Sequence, residues 1–339
     1  MNSLQRVKRS VAGNTIDLFP VFPEVIAFAC ETLGITQSNY SLDAHTMSDT
    51  LLKVRDLCDF DGIYVSRDNL VLHQAVGGEV VFPEDDEPYS PAPVLNSIKQ
   101  FNSLPFPAPQ ESPGMVTVLE AASIVRQRVG DSYYIQANID SGPFEMAGIL
   151  RGVQNFLLDL LSEEEQLIHK FLSFCTDVVI EYGLAMIDTG VHAIQFGDAV
   201  ASLISPELYK KFVLPYQKKT VDALSMKGCD IWIHICGNSR HIIPFLKSLN
   251  IQGFEVDSAV PLSIARELIG SRIALKGNLD TTSILTRDIE DVYRMTQDTI
   301  RSCGFHTGLV VSPGCGVPRM TPLENLRAIV RACRDYRLM

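Results

Sequence analysis

The alternation of short β-rich runs with helical segments constrains the fold of this 339-residue chain more than any other feature. Eight runs are predicted to be strands because they are short, rich in β-branched and aromatic residues, and separated by helical patterns. Such alternation is typical of a parallel sheet with helical crossovers. The eight predicted strands are 18–22, 62–66, 133–138, 193–197, 231–235, 253–256, 272–277 and 309–313.

Eight parallel strands with intervening helices predict an α/β fold, a closed (β/α)8 TIM barrel, and the competing architecture is an open doubly wound sheet. We expect residues 1–339 to form a single barrel domain. A stretch rich in proline and acidic residues, at about 78–112, lies between the second and third predicted strands. We interpret it as a lid or insertion rather than a domain boundary.

Charge and hydropathy exclude two classes of partner. The formal net charge of −11 disfavours nucleic acid, because a phosphate-backbone binder needs clustered lysines and arginines. No apolar run approaches the roughly 20 residues of a membrane span, and the basic N-terminus lacks an apolar signal region. We therefore expect a cytoplasmic protein. The eight cysteines lack the dense spacing of a disulfide framework, so most of them are expected to be reduced thiols.

Two segments carry helix start signals. The segment 205–224 is predicted to be one helix, with Ser205 as the N-cap and Pro206 at the first helical position. In the segment 321–336, Thr321 is the predicted N-cap, followed by proline at the first position and a glutamate that completes a capping box.

The chemistry of a (β/α)8 barrel lies at the carboxyl ends of its strands, so the polar residues just past each strand form the candidate site. We assign catalytic roles to the aspartates and cofactor binding to the asparagines, although an acidic residue at a strand end is equally often a helix cap. The catalytic candidates are Asp68, Asp198 and Asp257, the cofactor-binding candidates are Asn138 and Asn278, and Asp140 lies in the same position without an assigned role.

The stretch "IWIHICGNS" adds two soft-metal ligands, because His234 and Cys236 are two residues apart and project from one face of a strand. Cys315 lies on a glycine-rich turn after the last strand and can approach from the other side. One imidazole and two thiolates suit zinc with an open fourth position, and this formally neutral site favours alkylation of a thiol over hydrolysis. The alternative to a metal site is a packed histidine beside a buried cysteine, with no metal bound.

Five longer segments carry a family resemblance: "DGIYVSRDNLVLHQAVGGEV", "FGDAVASLISPELYKKFVLPYQKKTV", "HICGNS", "KGNLDTTSIL" and "VSPGCGVPRMTPLENLRAIV". Together they resemble the uroporphyrinogen decarboxylase superfamily, and within it the methylcobamide:coenzyme M methyltransferase branch. The resemblance covers about residues 5 to 336 and implies a (β/α)8 barrel.

In the methyltransferase branch, a zinc ion held by H-x-C and a distant cysteine activates a thiol that attacks the methyl group of a corrinoid cobalt. His234, Cys236 and Cys315 match this pattern residue by residue. The resemblance implies that the fourth zinc position is filled by the thiol or, at rest, by water or by a carboxylate such as Glu145 or Asp257.

The resemblance also bears on the choice of activity. A decarboxylase needs arginines in an early segment, and here no arginine lies between Arg9 and Arg55, which disfavours that function. Asp68 does fall where the decarboxylases have a pyrrole-binding aspartate. The leading hypothesis is therefore methyl transfer to a small, coenzyme M-like thiol. The alternatives are demethylation of a small methylated compound onto a corrinoid protein, and a non-catalytic barrel.

The corrinoid itself is expected on another protein. Corrinoid domains of such systems carry a D-x-H-x-x-G motif, and the nearest match here, "DAHTMS" at 43–48, ends in serine. The implied partner is a separate corrinoid protein that docks over the barrel mouth, where the segment 78–112 is placed to contribute.

Overall fold

The computed structural model describes residues 1–305 and 307–336 and contains one curled sheet of seven parallel strands. Each strand pairs with the next strand along the chain, whereas the strand order of a doubly wound sheet reverses at a switch point. The predicted (β/α)8 TIM barrel type is therefore confirmed. The strands are β1 Gly62–Val65, β2 Tyr134–Ser141, β3 Ala193–Gly197, β4 Asp230–Ile235, β5 Gly253–Val256, β6 Ala274–Leu279 and β7 Leu309–Pro313.

Helices surround this sheet, and the described residues form sixteen of them together with 3-10 segments at Ile98–Ser103 and Ala199–Leu203. The helices are α1 Ser3–Val11, α2 Ile26–Leu33, α3 Gln37–Leu42, α4 Ala44–Cys58, α5 Val71–Ala75, α6 Pro113–Val129, α7 Pro143–Arg151, α8 Val153–Ser162, α9 Glu165–Asp188, α10 Pro206–Phe212, α11 Leu214–Ser225, α12 Ile243–Leu246, α13 Leu262–Ile269, α14 Thr281–Thr286, α15 Ile289–Cys303 and α16 Leu323–Asp335. In the described part of the chain, none of these helices is both long enough and apolar enough to cross a membrane.

The first predicted strand, 18–22, is not a strand, although it occupies the place of one. Val21 forms a single parallel bridge with Val311 of β7. On the β7 side, Val311 N donates to Pro20 O at 2.9 Å, and on the β1 side, Asp61 N donates to Val21 O at 2.7 Å. The segment thus lies between β7 and β1 and closes the barrel. A longer ladder does not form because Pro20 has no backbone N–H to donate.

Helix α1 closes the amino-terminal end of the barrel. Val7 and Val11 of this helix are buried in a cluster with Phe22 and with inward-facing residues of the strands, Trp232 of β4 among them. Gly253 of β5 provides the room for that indole, since a Cβ at this position would lie 2.1 Å from the Trp232 ring. The end of the barrel opposite the predicted site is therefore filled by side chains.

A buried polar layer lies above this plug. Lys276 Nζ is 3.1 Å from both Glu255 Oε1 and Gln136 Oε1, and Gln136 Nε2 donates to Glu255 Oε1 at 2.9 Å. All three side chains are buried and satisfied, as a polar group inside a barrel requires. This layer forms the floor beneath the strand ends.

The helix predicted over 205–224 is two helices, α10 and α11. The predicted start is confirmed, because Ser205 is the N-cap, its hydroxyl accepts from Leu208 N at 3.3 Å, and proline follows in the first turn. The break follows from Pro215, which lies in the first turn of α11, because a proline inside one continuous helix removes a hydrogen bond and clashes with the preceding turn.

The capping box predicted at Thr321 is wrong. Helix α16 begins at Leu323 with Pro322 as its N-cap in an extended conformation, so the helix starts later than the pattern indicated. The buried Thr321 hydroxyl caps nothing, and Glu324 forms an ion pair with Arg327 at 2.7 Å instead.

The segment 78–112 leaves the barrel after α5 and returns at α6. It contains a bridge between Val81 and Tyr89 and the 3-10 segment, and residues 87–90 of it line the cavity described below. This position fits the lid interpretation. The single-domain assignment over 1–339 stays a prediction, and its last three residues lie outside the described ranges.

Candidate metal centre

A cavity of about 620 Å³ opens at the carboxyl ends of the strands. Residues that end or follow β1 to β4 and β7 line it, together with part of the segment 78–112. The volume lies in the range of about 300–1,000 Å³ that small-molecule sites occupy. The sequence analysis predicted the site at this end of the barrel.

His234, Cys236 and Cys315 come together at this cavity. Strand β4 directs His234 inward and carries the chain on to Cys236, and the turn after β7 brings Cys315 to them. His234 Nε2 lies 2.8 Å from Cys236 Sγ, which lies 3.7 Å from Cys315 Sγ. One ligand atom from each residue lies within 4.8 Å of the other two, a spacing that can hold a metal ion.

The three groups strongly affect each other's protonation. Hydrogen bonds with Cys236 and then with His234 lower the pKa of Cys315 to about 4, and the bond to Cys315 raises the pKa of Cys236. Burial acts to lower the pKa of His234, but the thiolate of Cys315 outweighs it and raises that pKa to about 9. A single thiolate is thus balanced by an imidazolium. A divalent cation at the same place allows both thiols to ionise, so the donor set fits a soft metal such as zinc.

Neighbouring groups orient the donors. His234 Nδ1 lies 3.3 Å from the carbonyl oxygen of Glu255, which turns Nε2 toward the thiols. Asp257 accepts from Gly237 N at 2.9 Å and so holds the turn that follows Cys236. A Cβ at Gly314 would lie 2.6 Å from Ser258 N, so only glycine fits where the Cys315 turn packs against the loop after β5.

Asp257 and Asn278, predicted as catalytic and cofactor-binding residues, lie outside the cavity lining. Asp257 accepts from the backbone of its own loop as well as from Gly237 N. Asn278 Nδ2 donates to the carbonyl oxygens of Asp257 and Val260, at 3.1 and 2.7 Å. Both side chains hold the loop after β5.

Asp198, the third predicted catalytic aspartate beside Asp68 and Asp257, is also outside the lining. Its carboxylate is fully buried and accepts from Glu145 N and from Gln217 Nε2, each at 2.8 Å. Burial raises the pKa of Asp198 to about 7. The carboxylate caps the first turn of α7, which follows the neighbouring strand β2, whereas the alternative that the sequence left open was a cap on the segment that follows β3 itself.

Asp68, Asn138 and Glu145 do line the cavity. Asp68 forms an ion pair with Arg67 at 2.6 Å, and Asn138 Oδ1 accepts from Asp140 N at 2.7 Å. Glu145, one of two carboxylates considered for the fourth zinc position, accepts from a backbone N–H through Oε2 at 2.7 Å.

Glu24 is a further residue of the site that was not among the residues predicted from the sequence. This residue lines the cavity, and burial together with the nearby Cys315 raises its pKa to about 7. A Cβ at Gly316 would lie 3.6 Å from the Glu24 carboxyl carbon, which places the carboxyl group beside the Cys315 turn. The signal was present, since Glu24 follows the first predicted strand just as the other candidates follow theirs.

Fold and site together define a (β/α)8 barrel protein with a cluster of one imidazole and two thiols at its mouth. The family model described as uroporphyrinogen decarboxylase (URO-D) matches residues 2–336, and the chain belongs to this family.

Methyltransferases are prominent among the similar proteins. The chain is 28% identical to the methylated-thiol--coenzyme M methyltransferase of Methanosarcina mazei over 342 residues, which covers 99% of this chain and 90% of that protein. It is 33% identical to the methylcobamide:CoM methyltransferase MtbA of Methanosarcina acetivorans over 223 residues, 65% of this chain and 63% of the relative. A solved methyltransferase structure from Methanosarcina mazei superposes with a TM-score of 0.88 at 24% identity and covers 98% of both chains, which supports the fold.

Proposed function

We propose that this chain is a zinc-dependent methyltransferase that moves a methyl group between a corrinoid protein and a small thiol. The observation that carries the proposal is the convergence of His234, Cys236 and Cys315 beside a cavity of small-molecule size. The reaction class, corrinoid-dependent methyl transfer, is supported by the relatives, whose names describe methylated thiols, coenzyme M and methylcobamide.

Different residues of the site are proposed to bind the metal and to transfer the proton. His234, Cys236 and Cys315 would hold the zinc, which when bound lowers the pKa of a substrate thiol and keeps its thiolate nucleophilic. Glu24 is proposed to accept the thiol proton, because it lines the cavity beside the Cys315 turn. Asp257 and Asp198 act indirectly by fixing the Cys236 turn and α7.

The methyl donor is too large to enter the cavity together with its protein, so a separate corrinoid protein is inferred to dock over the mouth. The segment 78–112 contributes exposed residues there, and Tyr89, at 52% exposure, also lines the cavity. Unchanged methyl transfer from the corrinoid protein after a Tyr89→Asp substitution would contradict a docking role for this segment.

Metal analysis tests the site. Freshly purified protein is expected to carry about one zinc per chain, and Cys236→Ser is expected to retain less than about half of that. Cys229→Ser is the matched control, because Cys229 directly precedes β4 and lies outside the donor group. Equal zinc contents in the two variants would remove the assignment.

The direction of transfer is tested by mixing the protein with a methylated corrinoid protein and following the cobalt absorbance. Loss of the methyl-cobalt band only when a thiol is present is the expected result. Loss of the band without any thiol would favour the alternative, in which the chain works with a small methylated compound and the corrinoid protein.

A further inference from the structure

His234 lies in a layer of inward-facing side chains, and its neighbour in that layer is a carboxylate. In the ladder between β4 and β5, His234 is the register partner of Glu255. In the ladder between β5 and β6, Glu255 is the register partner of Lys276. Register partners on neighbouring strands point to the same face and lie about 5 Å apart. The imidazole, the carboxylate and the ammonium group therefore stand side by side inside the barrel.

The Glu255 carboxylate is held below the cavity and is not part of its lining. Its Oε1 lies 3.1 Å from Lys276 Nζ and accepts from Gln136 Nε2 at 2.9 Å. Glu255 is 8% exposed and Lys276 is 2% exposed. A carboxylate buried to this degree depends on a charged partner, because the neutral amide of Gln136 cannot balance its charge.

The ammonium group of Lys276 is fixed from several other sides. Its Nζ lies 4.3 Å from the centre of the Phe22 ring and 5.0 Å from that of the Tyr64 ring. It also lies 3.1 Å from Gln136 Oε1. The faces of aromatic rings attract a cation, so these groups hold the ammonium in place without help from the carboxylate. Lys276 therefore determines where the Glu255 side chain points.

Without that partner, the carboxylate of Glu255 would have an alternative cation in a bound metal. His234 Nδ1 lies 3.3 Å from the carbonyl oxygen of Glu255, so the imidazole leans against β5 beside this side chain. Carboxylate oxygens are good zinc ligands, and a buried carboxylate without a partner is strongly attracted to a nearby cation. A freed Glu255 would thus compete for the position that three protein ligands leave open.

We propose that Lys276 is a positioning residue, which holds the Glu255 carboxylate in the floor and so keeps the fourth metal position free for the substrate thiol. The inference rests on the proposed function, since it presumes a metal ion held by His234, Cys236 and Cys315. It assigns a purpose to a buried ion pair that lies outside the cavity lining.

The test uses the cobalt(II)-loaded chain, whose visible absorption responds to the number and kind of metal ligands, with mercaptoethanol as the probe thiol. In Lys276→Met, the carboxylate is expected to occupy the fourth position, so that the dissociation constant of the thiol rises about tenfold or more. Combining Lys276→Met with Glu255→Gln removes the competing ligand as well. This double variant is expected to bind the thiol within about threefold of the unaltered protein.

Two further variants separate positioning from general stability. Lys8→Met breaks another pair of lysine and carboxylate, with Asp230 at 3.0 Å at the opposite end of the barrel, and is expected to leave thiol binding unchanged. Lys276→Arg keeps the positive charge and is expected to lose less affinity than Lys276→Met. Lys276→Gln, with and without Glu255→Gln, gives the same comparison if the methionine variant does not fold, because glutamine retains hydrogen-bonding groups.

Equal thiol affinities in Lys276→Met and in its double variant overturn the inference, since the carboxylate would then make no difference. A loss of the same size in Lys8→Met also overturns it. An unaltered chain that binds no cobalt, or whose cobalt spectrum does not respond to the thiol, contradicts the proposed function itself.

Discussion

Asp140 combines three features that are each unusual for an aspartate. Its backbone is in the left-handed region at φ 72°, its side chain is 3% exposed, and burial raises its pKa to about 8. The carboxyl group accepts from Leu72 N at 2.7 Å and from the Ser141 hydroxyl at 3.1 Å. A non-glycine residue held in this conformation at a cavity is a sign of a functional constraint.

Asp140→Asn is expected to stabilise the fold, and more so at pH 8 than at pH 5. The folded-state pKa lies above the ordinary value of about 4, so between these values the folded chain holds a proton that the unfolded chain has lost. Stability contributed by this group therefore falls as the pH rises through that window. Asparagine tolerates the left-handed backbone and removes the titration, for a gain of roughly 1–3 kcal/mol at pH 8.

Urea unfolding of both proteins at the two pH values measures this effect. A gain in unfolding free energy that is the same at pH 5 and pH 8 would show that Asp140 does not carry the buried proton.

At the residue scale, the sequence predicts the donor group well and its surroundings poorly. His234, Cys236 and Cys315 were found because the strand period and the glycine-rich turn fix where they point. Glu24 was overlooked although it follows the first predicted strand, 18–22, just as the other candidates follow theirs. The contact of Asp198 with α7 was not predicted, because a sequence does not show which backbone N–H a carboxylate meets.

At the scale of elements, Asp198 joins β3 to two helices. Its carboxylate accepts from Glu145 N at the start of α7 and from Gln217 of α11. Helix α7 has no capping side chain of its own, since its N-cap is Gly142. The aspartate from the neighbouring strand end therefore supplies the missing cap, and it also positions the Glu145 carboxylate at the cavity.

Asp198→Ala is expected to lower the free energy of unfolding by about 2–3 kcal/mol, because it removes a cap and leaves two buried donors unsatisfied. The control is Asp222→Ala on α11, which removes an exposed ion pair with Lys218 and is expected to cost less than about 1 kcal/mol. Denaturant titration of the two variants measures the difference. Similar losses would mean that the buried contacts of Asp198 contribute little.

Element boundaries were the weakest part of the sequence analysis. The helical period continues across Pro215, so the pattern predicted one helix where the backbone forms two. Thr321 and Pro322 have the residue types of a cap and a first helical position, yet the helix begins later. In the first case the local proline breaks the predicted helix, and in the second the helix begins one residue after the predicted first position.

At the scale of the whole molecule, Asp61 connects the two ends of the chain. Its buried carboxylate accepts from Arg6 of α1, from Arg334 of α16 at 3.1 Å, and from Val21 N at 2.9 Å. The residue directly precedes β1, so these bonds join both terminal helices and the closing segment to the sheet. The strand count predicted closure, but this network joins residues too distant in sequence for any pattern to show.

Asp61→Asn is expected to destabilise the protein by about 3 kcal/mol or more, because two arginines lose their buried partner. Asp59→Asn is the matched control, since that side chain is 74% exposed and lies 3.6 Å from the same Arg334. It is expected to change stability by less than about 0.5 kcal/mol. Thermal unfolding of the two variants measures the difference in stability. A small effect of Asp61→Asn would show that closure of the barrel depends on apolar packing alone.

Side chains of α1 and of the strands fill the amino-terminal end of the barrel. This filling has a kinetic consequence. With that end filled, the small substrate and the carrier protein of the proposed function would share the mouth as their route to the metal-binding group. The small molecule then has to enter first and leave last, which is compulsory-order binding. Initial-rate measurements are expected to show competitive product inhibition only between the two forms of the small molecule. Competition between the two forms of the carrier would indicate random order and a second route into the barrel.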